Sequence, residues 1–85
     1  MVQHFTRASF WKHYYQLPLS VQQLADKQYK RLREDPLHPS LHLKKTGRFW
    51  SVRVTDNYRA LALRVEGNFV WFWIGTHDEY ERLLK

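Results

Sequence analysis

The chain has 85 residues, no cysteine, and 14 basic against 8 acidic residues, which gives a formal net charge of +6. This length predicts one domain spanning residues 1–85. The lack of cysteine excludes disulfides, Fe–S clusters and thiolate zinc sites, and three scattered glycines exclude a phosphate-binding glycine loop. Because no apolar run approaches the ~20 residues of a membrane span and no signal-peptide core is present, we expect a cytoplasmic protein without membrane contact.

The positive charge is concentrated in the middle of the chain. Residues 27–59 hold nine basic and three acidic residues, so this window alone carries the net +6 and the rest of the chain is neutral. Such a concentration favours a positively charged face and a polyanionic partner. The alternative is a basic surface that only keeps the protein in solution.

Two helices are expected in the first part of the chain. Over residues 8–17, aromatic and apolar side chains recur at helical spacing, and Pro18 ends that pattern. Residues 18–34 repeat the helical pattern, with one polar intrusion at Gln28, until Asp35 precedes Pro36. Two helices joined at a proline predict a helical hairpin.

Strand patterns follow a proline-containing segment at residues 36–47, which is expected to be a loop or an irregular edge. Three strands are predicted at residues 49–55, 58–65 and 69–74, separated by turn residues. Gly75 would end the third strand, and Thr76 would cap a short helix at residues 77–84. The predicted fold class is α+β, with the helical hairpin packed on one face of a three- or four-stranded antiparallel sheet.

The third strand is apolar on both faces, which a sheet covered on one side does not require. Strict alternation places Trp71 and Trp73 on the same face, and both are expected in the core rather than as platforms for base stacking. We expect the C-terminal helix to cover the second face, and the alternative cover is a helix or strand of a partner protein. The residues concerned are Phe69, Trp71 and Trp73 on one face, Val70, Phe72 and Ile74 on the other, and Tyr80, Leu83 and Leu84 on the helix.

Neither a metal site nor a nucleophilic triad is expected. His38 and His42 are four residues apart, but Pro39 lies between them, so they do not share a stable helical face. No carboxylate cluster completes a metal site, and no serine has the context of a nucleophile elbow. We therefore expect a protein without metal or cofactor.

Arg53 and Arg59 flank the first strand turn, and the length of that turn decides whether they meet. A two-residue loop at residues 56–57 would pair Val54 with Arg59 and place the arginines on opposite faces. A three-residue loop at residues 55–57 would place Arg53 directly across from Arg59. Facing cations destabilise a sheet unless an anion lies between them, so this register predicts a phosphate site. The other register predicts two ordinary surface arginines.

Three segments carry a resemblance to a known family. They are RFWSVRV at 48–54, NYRAL at 57–61 and WIGTH at 73–77, followed by Tyr80. Together with the helical hairpin before them, they resemble the RelE/ParE superfamily of type II toxins, whose loose signatures are an arginine ahead of a Tyr-Arg pair and a closing Gly-x-His-x-x-Tyr. The resemblance covers nearly the whole chain and implies a helical hairpin on a twisted antiparallel sheet.

The resemblance also implies a function. RelE-like members are ribosome-dependent, metal-independent mRNA endoribonucleases that inhibit translation and are neutralised by a cognate antitoxin. Their basic strand residues share one concave face, which favours the three-residue loop here. By this resemblance Arg53 and Arg59 would grip the scissile phosphate of mRNA on the ribosome, while His77 would donate a proton. Tyr80 would stack on a base, and general attraction for RNA would come from Lys44, Lys45 and Arg48.

The chain departs from the family pattern at one point. Some members carry a catalytic glutamate in the loop before the strand hairpin, whereas no acid lies between Asp35 and Asp56 here. The base of an RNA-cleaving reaction would then be His42, His77, a lysine of lowered pKa or a group on the ribosome. The alternative is a member without nuclease chemistry, either a ParE-like DNA gyrase inhibitor or a silent RNA- or protein-binding module. The first strand is also short, with only residues 2–5 available for it.

Overall fold

A sheet of five strands carries two helices on one face and a third helix on the other. The structure is a computed structural model that describes residues 2–85, so Met1 of the predicted domain lies outside the described part. Its elements are β1 (His4–Thr6), α1 (Ala8–Tyr14), α2 (Leu19–Glu34), a 3₁₀ turn (Pro39–Leu41), β2 (Lys44–Thr46), β3 (Phe49–Thr55), β4 (Tyr58–Val65), β5 (Asn68–Thr76) and α3 (His77–Leu83). The α+β class, both N-terminal helices, the three-stranded meander and the C-terminal helix are confirmed. Within residues 2–85, no helix is both long enough and apolar enough to span a bilayer.

The strand order is β1-β5-β4-β3-β2, with β1 parallel to β5 and the other pairs antiparallel. The expectation of three or four strands, all antiparallel, is therefore corrected to a mixed sheet of five. The extra strand, β2, comes from the segment expected as a loop or irregular edge, and β1 forms the opposite edge. Strands of three residues hold too few positions for a period-two pattern, so only pairing with a neighbour reveals them.

The two N-terminal helices pack on the same face of the sheet, α1 over β5 and α2 over β3. α1 ends at Tyr14, earlier than expected, and residues 15–17 form a turn and a bend before Pro18. α2 begins at Leu19 with Pro18 as its N-cap. The larger hydrophobic core lies between these helices and the sheet, and the Tyr14 hydroxyl links them by donating a hydrogen bond of 2.8 Å to Asp26.

A bulge in β5 separates its two tryptophans. Leu61 of β4 pairs with Trp73, whereas the next residue, Ala62, pairs with Trp71, so Phe72 is the extra residue on β5. The expectation that both tryptophans share a face is therefore wrong, since Trp71 lies in the core beneath α1 and α2 and Trp73 lies in the cluster beneath α3. Both are buried, as expected. A bulge shifts the alternation of side chains by one position, which a strict period-two pattern does not reveal.

α3 covers the second face of the sheet. A small buried cluster of Leu61, Trp73 and Tyr80 lies there, with Leu84 packed against it. The expected cover by the C-terminal helix is thus confirmed for Tyr80 and Leu84, whereas Leu83 is 50% exposed and contributes little. The burial of these aromatic side chains anchors α3, and with it the residues at the start of the helix.

Gly75 provides space for the Trp73 ring, and a side chain at this position is expected to destabilise the protein. A Cβ on Gly75 would lie 2.5 Å from Cζ2 and 2.9 Å from Cη2 of that ring. Because the ring is buried, we expect Gly75→Ala to lower the free energy of unfolding by about 1–3 kcal/mol, measured by urea denaturation. In a Trp73→Phe background, which lacks those two atoms, the same alanine should cost much less. An equal cost in both backgrounds would contradict this explanation.

Candidate functional site

Arg53 and Arg59 lie directly across from each other on β3 and β4. Thr55 pairs with Tyr58, so the loop between the strands has only two residues, and Val54 is an extra residue that shifts the register. The pairing of the two arginines is thus confirmed, but the three-residue loop expected to produce it is wrong. The irregularity at Val54 has the same effect on register as one more loop residue.

The turn at residues 56–57 accommodates the two facing cations. The Arg53 guanidinium forms an ion pair with the Asp56 carboxylate. Arg59 Nη1 donates hydrogen bonds to the carbonyl oxygens of Thr55, Asp56 and Tyr58, the last at 3.0 Å. These oxygens offset the repulsion that like charges would otherwise cause across a sheet. The Arg53 side chain remains 27% exposed, so a ligand in solution can reach it.

The side chain of Lys44 lies on the same face as the arginine pair. Lys44 pairs with Ser51, and Ser51 is two residues from Arg53 along β3, which places all three on the α3 side of the sheet. Lys45 pairs with Trp50 and lies on the opposite face of the sheet. That face packs against the core beneath α1 and α2. The predicted nucleic-acid-binding residues are therefore divided between the two faces.

Arg48 lies on the α3 side of the sheet because its guanidinium contacts the ring of Phe49. It lies in the turn between β2 and β3, with its guanidinium carbon 5.4 Å from the centre of the Phe49 ring. Phe49 packs against the cluster beneath α3. The cations on this side are thus Arg48, Lys44, Arg53 and Arg59.

His77 is the first residue of α3, and the strand turn holds it in place. Its backbone N–H donates a hydrogen bond of 2.7 Å to the carbonyl oxygen of Asn57. Its ring Nε2 lies 3.3 Å from Oε1 of Glu81, one helical turn further along α3. The ring is partly exposed, so the structure brings a histidine to the turn on which both arginine side chains converge.

Tyr80 lies in the core rather than at the surface. It is 5% exposed, packs with Leu61 and Trp73, and its hydroxyl lies 3.4 Å from Ser51 Oγ. A buried ring has no free face for a nucleotide base, so the stacking expected of Tyr80 is not available in this structure. Its contribution is to hold α3 against the sheet.

Two carboxylates that the sequence reasoning did not place at the site are close to the predicted residues. The sequence predicts Asp56 as a turn residue, and in the structure its carboxylate pairs with Arg53. Glu81 had been given no role, yet it lies beside His77. The spacing of His77 and Glu81 on a predicted helix was a usable signal, because residues four apart share a helix face. The Asp56 contact depends on the turn geometry, for which the sequence carried no comparable pattern.

The described residues, 2–85, contain no group of three or more His, Cys, Asp or Glu side chains able to hold a metal ion. His38 instead caps the 3₁₀ turn by accepting a hydrogen bond of 3.2 Å from the backbone N–H of Ser40. His42 ends the same turn in the left-handed conformation and is exposed.

A capping box stabilises the start of α3, where His77 lies. The Thr76 hydroxyl accepts from the backbone N–H of Glu79, while the Glu79 carboxylate accepts from the backbone N–H of Thr76. The hydrogen bond from the Thr76 side chain, followed by that from its backbone, lowers the pKa of Glu79. Ionised Glu79 therefore favours the folded state.

Thr76→Ala tests this cap. We expect it to cost about 0.5–2 kcal/mol of stability at pH 7, measured by thermal or urea unfolding. Because the folded-state pKa of Glu79 lies below its unfolded value, the contribution is present above that unfolded value and is lost as the pH falls through the folded one. The difference between wild type and variant should thus shrink on acidification. A difference that stays constant from pH 7 to pH 3 would exclude a role for the Glu79 carboxylate.

A largely apolar cleft lies on the opposite face of the sheet. It has a volume of about 460 Å³ and runs between α1, α2 and the sheet, with aromatic side chains forming much of its wall. Phe5, Trp11 and Tyr29 line it and are each partly exposed. The partner considered as the alternative cover of the second face has no groove there, because α3 covers that face; the cleft between α1, α2 and the sheet is a separate feature.

Comparison with solved structures identifies proteins of the same fold. The RelB-RelE antitoxin-toxin complex from Methanococcus jannaschii is similar with a TM-score of 0.73 and 12% identity, over 95% of this chain and 99% of that one. YafQ from E. coli gives a TM-score of 0.69 at 10% identity, over 94% and 98%. A copper-bound mutant toxin from Helicobacter pylori gives 0.67 at 20% identity, over 93% and 98%. At these identities the likeness concerns the fold, which is that of small toxins.

The family follows from the sequence comparison. A family model described as the ParE-like toxin domain matches residues 19–82, which is most of the chain. No curated protein sequence matches closely enough to count as a relative. The chain belongs to the ParE-like toxin family within the RelE/ParE superfamily, and it is a toxin of a type II toxin–antitoxin system.

Proposed function

We propose that this toxin is a metal-independent endoribonuclease that cleaves mRNA on the ribosome and so inhibits translation. The observation that supports the proposal most strongly is the direct pairing of Arg53 and Arg59 beside the turn that holds His77. Two guanidinium groups and an imidazole on one accessible face are the parts that cleavage of RNA by its own 2′-hydroxyl requires. A gyrase inhibitor has no need of a proton-transfer group at this place.

The reaction assigns a separate task to each group. The ribose 2′-oxygen attacks the adjacent phosphorus and loses its proton to a base, while the bond from phosphorus to the 5′-oxygen of the next nucleotide breaks and that oxygen gains a proton. Negative charge grows on the phosphoryl oxygens, and the fixed guanidinium groups of Arg53 and Arg59 stabilise it. In the free protein Arg53 is paired with Asp56 through Nη2, and the phosphate binds at the remaining N–H donors of its guanidinium.

His77 donates the proton that the leaving 5′-oxygen gains in this proposal, and the proton of the 2′-hydroxyl passes to a group on the ribosome. An imidazolium can give a proton near neutral pH, and the partly exposed His77 begins the helix whose first backbone N–H bonds to the turn between Arg53 and Arg59. The Glu81 carboxylate lies at Nε2, so it orients the ring and leaves Nδ1 as the nitrogen that faces a substrate. His77 is preferred to His42 here because its backbone N–H bonds to the turn between Arg53 and Arg59, whereas His42 ends the 3₁₀ turn before β2.

The proposal includes a cognate antitoxin as partner. A structurally similar toxin from Methanococcus jannaschii is seen in an antitoxin-toxin complex. The apolar cleft between α1, α2 and the sheet gives such a partner an aromatic surface with Asp26 as a polar group in its wall. Co-expression with the product of the neighbouring reading frame, followed by purification through a tag on that product, tests the partner. Recovery of the tagged product without the toxin would contradict it.

Induced expression distinguishes the nuclease from the gyrase inhibitor. We expect growth arrest, loss of protein synthesis and new 5′ ends within translated transcripts, without induction of the DNA-damage response. His77→Gln should abolish the new 5′ ends while the folded protein accumulates. Arrest with DNA damage and intact transcripts would instead establish gyrase poisoning, and an absence of arrest would leave a silent binding module.

The division of the two lysines between the sheet faces gives a matched comparison. Lys44→Ala and Lys45→Ala each remove one positive charge from neighbouring positions on the edge strand β2. We expect only Lys44→Ala to weaken binding of a single-stranded RNA, with the salt slope of the affinity falling by about 0.7, the value for one phosphate contact. Fluorescence anisotropy between 50 and 300 mM KCl measures this slope. Equal losses in both variants would mean that the lysines act only through net charge.

A further inference from the structure

The one polar residue on the apolar side of α2 organises a hydrogen-bond network. Gln28 is buried, and its Nε2 donates to the carbonyl oxygens of Arg53 at 2.9 Å and of Ser40 at 3.3 Å. Its Oε1 accepts from Arg31 Nη1 at 3.1 Å. The buried amide of Gln28 has its hydrogen-bonding groups satisfied because it bonds to three elements at once, namely α2, the 3₁₀ turn and β3.

The same network fixes the guanidinium of Arg31. Nη1 also donates to Ser40 Oγ at 3.3 Å, and Ser40 Oγ in turn lies 2.8 Å from His38 Nδ1. Arg31 is half-buried, and within residues 2–85 it forms no ion pair with a carboxylate. A half-buried arginine held by neutral partners keeps its full positive charge and its remaining N–H donors for another ligand.

Lys27 adds a second cation beside Arg31. The two residues are one helical turn apart on α2, so their side chains lie on the same face, and neither has a carboxylate partner among residues 2–85. Like charges at this spacing are slightly unfavourable in the free protein. Binding of an anion between them removes that repulsion.

These side chains line a cavity of about 310 Å³ between α2 and the end of β3. Arg53 and Asp56 line it as well, so the cavity adjoins the ion pair between these two residues. Asp56 is already paired with Arg53, which leaves Lys27 and Arg31 as the cations not neutralised there. A strand held at the arginine pair can thus continue around the turn into this cavity.

We infer that the cavity between α2 and β3 is a second phosphate subsite, in which Arg31 and Lys27 bind a backbone phosphate of the RNA whose scissile phosphate lies at Arg53 and Arg59. The inference rests on the proposed function for the identity of the strand. Arg31 makes the charge-assisted hydrogen bonds, the Gln28–Ser40 network fixes its orientation, and Lys27 contributes a mobile charge. The subsite places the strand in the catalytic face and reads no base.

The test uses the full-length toxin and a fluorescein-labelled single-stranded RNA of twelve nucleotides, with anisotropy measured from 50 to 300 mM KCl. We expect Arg31→Gln to bind about tenfold more weakly and to reduce the salt slope by about 0.7. Arg31→Lys should keep the slope but lose part of the affinity, because a lysine cannot reproduce the fork between Gln28 and Ser40. Lys30→Gln removes the same charge from an exposed position of α2 outside the cavity and should have little effect.

Thermal unfolding of each variant verifies that it is folded, and Ser40→Ala, which retains both cations, provides a second variant if Arg31→Gln is unstable. It should weaken RNA binding severalfold without changing the salt slope. Equal effects of Arg31→Gln and Lys30→Gln, with Arg59→Gln still impaired, would overturn the subsite and leave the proposed function intact. No RNA binding by the wild type would overturn the subsite, whereas the proposed function is tested separately by the transcript 5′ ends after induced expression. Loss of antitoxin binding with unchanged RNA binding would show that the cavity takes a carboxylate of the protein partner instead.

Discussion

Arg59→Ala is expected to abolish growth arrest and to reduce RNA cleavage by at least about 100-fold, the usual effect of removing one donor to the charge that develops in a transition state. Arg59 lies opposite Arg53 on the α3 face, and its guanidinium is fixed by the carbonyl oxygens of Thr55, Asp56 and Tyr58. A cation held in place by backbone atoms loses little freedom on binding a phosphate, so its removal affects the rate strongly. Induced expression and mapping of transcript 5′ ends measure the effect.

Two variants control for charge and for stability. Arg59→Lys keeps the positive charge but not the planar fork, and an intermediate rate is expected of it. Arg64→Ala removes the same charge from the same strand, where the side chain lies over the rings of Phe69 and Trp50 instead of at the turn, and it should remain toxic. A folded and fully toxic Arg59→Ala protein would exclude Arg59 from the reaction. Arg59→Ala also loses the hydrogen bonds from Arg59 to the turn, which is expected to lower the free energy of unfolding by about 1 kcal/mol. Urea unfolding measures this loss separately from the effect on cleavage.

Leu41→Ala is expected to have the largest effect on stability, a loss of about 2–5 kcal/mol. Leu41 lies in the 3₁₀ turn, is fully buried at 0% exposure, and belongs to the core beneath α1 and α2. Truncation leaves a cavity that rigid strands and a helix on either side cannot close. For a domain whose total stability is on the order of 5–15 kcal/mol, this is a large share of the total.

Leu37 provides the matched control, since it lies in the same segment between α2 and β2 but is 88% exposed. Leu37→Ala should change the free energy of unfolding by no more than about 0.5 kcal/mol. Urea denaturation followed by tryptophan fluorescence measures both variants. Similar small changes in the two would mean that the 3₁₀ turn is not anchored in the core.

Local sequence pattern predicts the helices of this protein but not which of these two leucines is buried. Apolar spacing and a proline predicted both N-terminal helices, because helical periodicity depends on neighbours within one or two turns. Residues 36–47 showed no sustained period, so the burial of Leu41 and the pairing of β2 were not foreseen. Burial in such a segment depends on what the rest of the chain places above it, which no local pattern contains.

The candidate site shows the same division. The resemblance of short motifs singled out Arg53, Arg59 and His77, and the structure pairs the two arginines and bonds the backbone of His77 to the turn between them. The contacts of the Asp56 and Glu81 carboxylates follow from no motif, and of the two roles expected of Tyr80, covering the sheet and stacking on a base, its burial fits only the first. Residue types were therefore a good guide to chemistry, whereas the partners of each group depended on contacts between elements.

Composition and charge predict a small basic domain, and periodicity predicts its helical hairpin, strand meander and terminal helix. Periodicity can do so because it is a local property of each segment. Only the tertiary structure decided that a bulge at Val54 brings Arg53 opposite Arg59, and that a bulge at Phe72 sends Trp71 and Trp73 to different faces. It also showed that Gln28, which interrupts the apolar pattern of α2, accepts a hydrogen bond from Arg31 and helps to orient it. One extra residue in a strand reverses the face of every side chain beyond it, and packing of the two faces, rather than the strand's own pattern, selects where that residue lies.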